Sequence, residues 1–216
     1  IRRLYLNIPP AAISIVNSGG VNTSDNEARI TGGPAPAVLT PSAVALTGAG
    51  TRVTGTPSPN FVDTTLASRI TLDSVFGMGS NELRGVATEV FTSMNDYTSS
   101  QRIRASSILY FENGAAFTVA KPLKGSGILY VNGNLSFEEG SDSFFSGVVY
   151  VNNGNVTING ENSITGTLIV PTAGKTVLLT AGVGNAIVEY NATIISEVLK
   201  KLGGYRLNSL SFRFVD

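Results

Sequence analysis

The 216-residue sequence has no His, no Cys and no Trp. Without His there is no Ser-His-Asp triad and no imidazole ligand for a metal. Without Cys there is no thiol nucleophile, zinc ribbon, iron–sulfur cluster or disulfide. Any catalysis would fall to carboxylates, Lys, Arg, Tyr, Ser and Thr. Charge is sparse and balanced, 15 Lys+Arg against 15 Asp+Glu, so the basic excess of a nucleic-acid binder is missing. Long apolar runs are missing too. The hydrophobic residues come in short β-branched groups, none near the ~18 to 20 residues of a membrane helix, and the chain is expected to be soluble. The opening Ile1-Arg2-Arg3-Leu4-Tyr5-Leu6-Asn7 reaches Pro9-Pro10 with no apolar core of an export signal. Starting on Ile rather than Met, it is expected to have lost preceding residues. No cofactor is expected.

What is present is a repeat. Ile108-Leu109-Tyr110-Phe111, Ile128-Leu129-Tyr130-Val131, Val148-Val149-Tyr150-Val151 and Thr167-Leu168-Ile169-Val170 align, with Ala186-Ile187-Val188-Glu189 as a weaker fifth; their starts lie 20, 20, 19 and 19 residues apart. Gly127, Gly147 and Gly166 precede three of these runs, and Asn132 and Asn152 follow two. Each unit carries a second short strand (Phe117-Thr118-Val119, Leu135-Ser136-Phe137, Val156-Thr157-Ile158, Val177-Leu178-Leu179). A third follows near Phe144-Phe145 and Ser163-Ile164-Thr165. Three short strands joined by Gly/Asn corners in about 20 residues make one rung of a parallel β-helix. The fold class expected is all-β, a right-handed parallel β-helix with an inserted helix and a C-terminal helix.

Strand pleating sharpens this reading. In the second strand Phe117/Val119, Leu135/Phe137, Val156/Ile158 and Val177/Leu179 are expected inward, with Thr118, Ser136 and Thr157 outward. In the first strand both faces are apolar. If Leu109/Phe111 and their equivalents point inward, then Ile108, Tyr110, Ile128, Tyr130, Val148, Tyr150 and Ile169 form an outward stripe that must be covered, by packing or by a partner. Two helices are available. Ser80 can cap one carrying Leu83, Val86, Ala87, Val90, Phe91 and Met94 on a single face. Asn191 can cap another with Ile194, Ile195, Val198, Leu199 and Leu202, ending at Lys200, Lys201 and Gly203. One should cover the stripe and the other can close an open end of the coil. A single domain is expected over 1–216: irregular first rungs at 1–60, a helical insertion at 61–105, regular rungs at 106–190, then the helix and a final strand Leu210-Ser211-Phe212-Arg213-Phe214.

The short motifs have plain structural readings beside functional ones. Ala173-Gly174-Lys175-Thr176 resembles the end of a phosphate-binding loop, but Ile169 stands where the first Gly belongs and a strand follows, so a rung corner is expected. Glu138-Glu139-Gly140-Ser141-Asp142 gathers three carboxylates that could hold Ca²⁺ or simply face solvent; the spacing matches no calcium loop. Glu161 holds a similar corner. Paired acids for glycoside cleavage need two carboxylates facing across a cleft, and the outward rung positions are Ser, Thr and aliphatic residues instead. The Asn134, Asn155 and Asn191 acceptor patterns read as two corners and a helix cap. The Tyr110/Tyr130/Tyr150 ladder reads as packing, with a carbohydrate or aromatic ligand as the alternative.

Gly127-Ile-Leu-Tyr-Val-Asn-Gly-Asn-Leu-Ser-Phe137, continued by Phe144 to Asn152 and Ile164 to Val170, resembles the C-terminal region of PilX-like type IV pilus assembly proteins of bacteria. Val188-Glu189-Tyr190-Asn191 leading into a helix, and the upstream Val44 to Gly55, are similar too. That resemblance implies a β-helix preceded by a hydrophobic pilin-like helix, a place in the cell envelope or outside the cell, and other protein subunits of a surface assembly as partners. Membrane contact is implied only through an N-terminal segment absent from this chain. It implies no catalytic, metal or cofactor-binding residues. The expected role is therefore a non-enzymatic structural ectodomain. A carbohydrate-binding or carbohydrate-active β-helix is the alternative, and a bactofilin-like polymer is a third reading, opposed by a C-terminal helix capping one end.

Overall fold

The computed structural model describes residues 7–16, 20–23, 28–42, 46–47, 52–98, 106–180, 182 and 184–202. Along the chain, β1 (Ile13–Ile15), β2 (Val21–Thr23) and β3 (Arg29–Gly33) form one coil. A second is formed by β4 (Val38–Thr40), β5 (Leu46–Thr47) and β6 (Arg52–Gly55), and β7 (Asn60–Val62) starts a third. Three short helices follow, α1 (Leu66–Arg69), α2 (Leu72–Phe76) and α3 (Ser80–Val86), then β8 (Glu89–Phe91). The regular coils run through β9 (Ser107–Phe111), β10 (Ala115–Phe117), β11 (Lys124–Asn132), β12 (Leu135–Phe137), β13 (Phe144–Asn152), β14 (Val156–Asn159), β15 (Ser163–Val170), β16 (Val177–Thr180) and β17 (Ile187–Tyr190). Helix α4 (Ala192–Leu202) follows. All printed strand pairs are parallel, and the chain is a parallel β-helix of about seven turns.

The coil has three sides. On the first, β8, β9, the later halves of β11, β13 and β15, then β1, β4 and β7 lie side by side; β10, β12, β14, β16, β2 and β5 make the second. The third side is made by the opening residues of β11, β13 and β15 with β17, β3 and β6. What the sequence separates into a third strand and a following first strand is one bent strand. The bend falls at Gly127, Gly147 and Gly166, which stack in register with φ of +126°, +143° and +137°. A Cβ on any of them would sit 2.0 to 2.1 Å from the carbonyl oxygen of the residue stacked against it. Only glycine fits that corner.

The chain does not climb the coil in order. The sequence suggested first rungs lying before the insertion, next to residue 106. Instead β1 pairs with β15, β2 with β16 and β3 with β17, so the N-terminal coils continue the solenoid beyond its C-terminal rung. Where residue 190 leaves the coil for α4, β1 occupies the next position on the first side. The insertion then carries the chain from β7 back to β8, seven strand spacings away along the first side, or roughly 34 Å.

Three local expectations are corrected. The helix starting near Ser80 ends at Val86, and Glu89–Phe91 is a strand on β9. Its N-cap is Gly79, whose N–H donates to the Glu82 carboxylate at 3.0 Å. Residues 88–92, Thr-Glu-Val-Phe-Thr, are β-branched and aromatic, and β9 offers an edge, so pairing prevails over helical periodicity. Val119 is not inward but 67% exposed, because Thr118 and Lys121 exchange backbone hydrogen bonds and turn the chain before it. The fifth run, Ile187–Tyr190, joins the third side rather than the first, pairing with Ser163–Gly166. The final strand expected at Leu210–Phe214 lies outside the described residues.

Inside the coil Leu109, Leu129, Val149 and Leu168 face Phe117, Phe137, Ile158 and Leu179 in one buried cluster. Phe117 stacks on Phe137 at 5.3 Å. A second cluster lies outside the first side, between the sheet and the helices. This outer layer holds the candidate site.

Candidate functional site

The stripe singled out from the sequence is wholly inside this outer layer. Ile108, Tyr110, Ile128, Tyr130, Val148, Tyr150 and Ile169 are buried together with Leu66, Ile70, Val75, Phe76, Met78 and Leu83 of the insertion and Val198 of α4. Both helical segments contribute to the cover. α4 packs across β11, β13 and β15 and so lies on the flank of the coil, not over its end. Its start is as the sequence suggested: the Ile194 N–H donates to the Asn191 side chain at 3.0 Å. The apolar residues of α1 and α2 were not singled out in the sequence, since helices of four and five residues are too short to display a periodic face.

The register of parallel pairing sets the three tyrosines in a row. Tyr110 and Tyr130 stack with centroids 4.5 Å apart, Tyr130 and Tyr150 with centroids 5.8 Å apart. Phe76 meets Tyr150 edge-on at 5.3 Å. Each phenol finds a polar partner within the chain. The Ser80 and Tyr110 hydroxyls lie 2.5 Å apart, with Tyr130 at 3.5 Å from the same Ser80 oxygen. Tyr150 donates to the Ile70 carbonyl at 3.0 Å. Ser80, expected as a helix cap, therefore anchors the ladder instead. Burial raises the Tyr130 and Tyr150 pKa values, the neighbouring phenol adding to the effect in each case. A fully covered ladder has no face on which a sugar ring could stack.

The corners are polar and self-satisfied. Asn152 donates to the Asn132 side chain at 3.1 Å, and Asn132 to the Glu112 carbonyl at 3.1 Å. One corner on, the Asn155 N–H donates to Asn134 and the Thr176 N–H to Asn155. Ala173–Thr176 is thus a rung corner with no helix N-terminus behind it. Two of the three glycosylation-like asparagines hold such corners, and the third caps α4.

At the acidic loop the buried Ser141, Ser143 and Asn162 bond to one another. Asn162 accepts from the Ser141 hydroxyl at 2.8 Å and from the Ser143 N–H at 2.7 Å. Asp142 faces outward against Lys124 at 2.6 Å. Among the described residues no group of three or more acidic side chains is arranged to hold a metal ion, and no helix is long and apolar enough to cross a membrane. Outward positions on the second side are Ala116, Ser136, Thr157 and Leu178, all half-buried. Phe144 on the third side is an exposed aromatic, at 45%.

No protein-family model, curated protein or solved structure matches the chain.

Proposed function

We propose that the chain is a non-enzymatic scaffold module of a bacterial surface assembly, the role implied by its likeness to PilX-like type IV pilus proteins. The observation that carries this reading is the use made of its polar residues. Asn132, Asn134, Asn152, Asn155 and Asn162 are engaged in bonds between successive turns, and the tyrosines in bonds to the covering helices. Such a chain spends its chemistry on stacking and leaves side faces for other proteins to meet. Immunogold labelling of the producing cells tests it. Label along surface fibres is expected; label confined to the cytoplasm overturns the reading.

The second reading, a carbohydrate-binding β-helix, rests on Phe144, an exposed ring beside Lys124 and Asp142. It predicts saturable binding to a glycan panel that disappears in Phe144→Ala while the fold persists. The scaffold reading predicts none.

A further inference from the structure

The two ends of the coil are finished differently. At the β8 end aromatic rings stop the core. Phe91 stacks on Phe111 at 4.6 Å. Tyr97 is buried against Phe91, Phe111 and Phe117, its hydroxyl donating to the Pro122 carbonyl at 2.7 Å. The loop carrying it is held by Asp96, whose carboxylate accepts from the Thr92 and Ser93 N–H groups. Glu89 stands next to Leu109 in the inward row, and a charge so placed discourages another strand from adding there.

At the other end β7 lies on β4, and among the described residues no strand lies on β7. Phe61 is 41% exposed and Val62 45%. Phe61 is the last member of the row Tyr110, Tyr130, Tyr150, Ile169, Ser14, Leu39, whose other members are all buried. Val62 follows Thr40 in the row that faces the core. Both apolar layers of the molecule therefore run out at this one edge.

We infer that β7 is the contact strand of a two-fold dimer, the partner being a second copy of this chain. One finished end and one unfinished end favour association that closes at two copies, through the same surface on each. Backbone polarity fits. Val38 N–H donates to Pro59 and Asp63 N–H to Thr40, which turns the N–H and C=O of Phe61 toward β4 and those of Val62 outward. An antiparallel copy centred on Phe61 then places the two Phe61 rings at a non-hydrogen-bonded pair, where side chains come closest and aromatic pairs are favourable. A formal charge of zero sets no long-range repulsion between copies. Three residues per strand make a modest contact, so the dimer depends on concentration. This inference is independent of the scaffold role proposed above.

Sedimentation velocity on the full chain across a wide concentration range tests it. A monomer–dimer equilibrium is expected, weakened at least about tenfold by Phe61→Lys or Val62→Lys and unchanged by Val90→Lys at the finished end, where Val90 is 36% exposed. Circular dichroism establishes that each variant is folded. Should the lysine variants fail to fold, Phe61→Cys decides. In a chain without other cysteines it should oxidise to a linked dimer much faster than Val119→Cys, because the paired Cα distance suits a disulfide. Monomer at every concentration, dissociation by Val90→Lys, growth beyond the dimer, or equal cross-linking of the two cysteine variants overturns the inference.

Discussion

The first and second sides of the coil share a period and a parallel ladder, yet they differ in what lies outside them. On the first side both faces of the sheet are buried, the inner against the core and the outer beneath α1–α4. On the second side the inner face is buried and the outer face, from Ala116 to Leu178, meets solvent. The difference teaches what alternation means in a solenoid. Strict in–out alternation marks a bare side, and loss of alternation marks a side that the rest of the chain must reach and cover.

The comparison can be broken most severely at the bend leading into the first side. Gly147→Ala puts a Cβ 2.0 Å from the Gly127 carbonyl oxygen in a left-handed backbone. A loss above about 4 kcal/mol, or no folded protein at all, is expected from denaturant unfolding. Tyr150→Ala empties a buried site in the covered layer and should cost roughly 3–5 kcal/mol in the same assay. Tyr150→Phe, which loses only the bond to Ile70, should cost about 1 kcal/mol. On the bare side Thr157→Ala should stay within about 0.5 kcal/mol.

Alkaline pH reaches the covered side selectively. In the folded chain Tyr130 and Tyr150 hold their protons above the usual phenol range, because burial disfavours the phenolate; burial pushes Tyr97 in the core up to about 12. In the unfolded chain all three ionise near ~10. Folded-state values above unfolded ones give stability that is complete below pH ~10 and lost as pH rises beyond it. Phenolate absorbance should therefore show the three buried tyrosines ionising together with loss of the fold, and Tyr150→Phe should make the fall less steep. Simple titration of every tyrosine near 10 with the fold intact would contradict the burial described. The smallest effect lies at Ser14, whose hydroxyl is buried in the covered layer with no partner among the described residues. Ser14→Ala should be neutral or slightly stabilising, by up to about 1 kcal/mol.

Rungs, corners and the two-faced stripe were legible because each rests on local spacing. Gly127, Gly147 and Gly166 repeat with the strands, and apolar residues on both faces of Ile128–Val131 demand a cover whatever supplies it. The residues at 83–94 were ambiguous. Leu83, Val86, Val90 and Phe91 fit a helical face, and only the free edge of β9, a tertiary feature, makes Val90 and Phe91 a strand. Val119 was misread because alternation alone does not reveal the turn at Thr118–Lys121. The order of the coils was not legible at all. Strands β1–β3 carry no mark saying which edge they join, and that choice is made by geometry more than a hundred residues away. Of the site, the tyrosine row could be read but its partners Ser80, Ile70 and Phe76 could not, since they come from helices too short to announce a face.

The out-of-order coil constrains how the protein is made. The Thr167 hydroxyl donates to the Ala11 carbonyl across 156 residues of chain, so the first strands to leave the ribosome meet their neighbours only after β15–β17 have emerged. At ~5 to 20 residues per second that is a wait on the order of 10 to 30 seconds. During it β1–β6 are apolar strands without their sheet, open to pairing with the wrong chain. A producing cell must shield these 60 residues while the rest is translated, and slowing synthesis near residue 160 should lower the yield of native protein more than slowing it near residue 60.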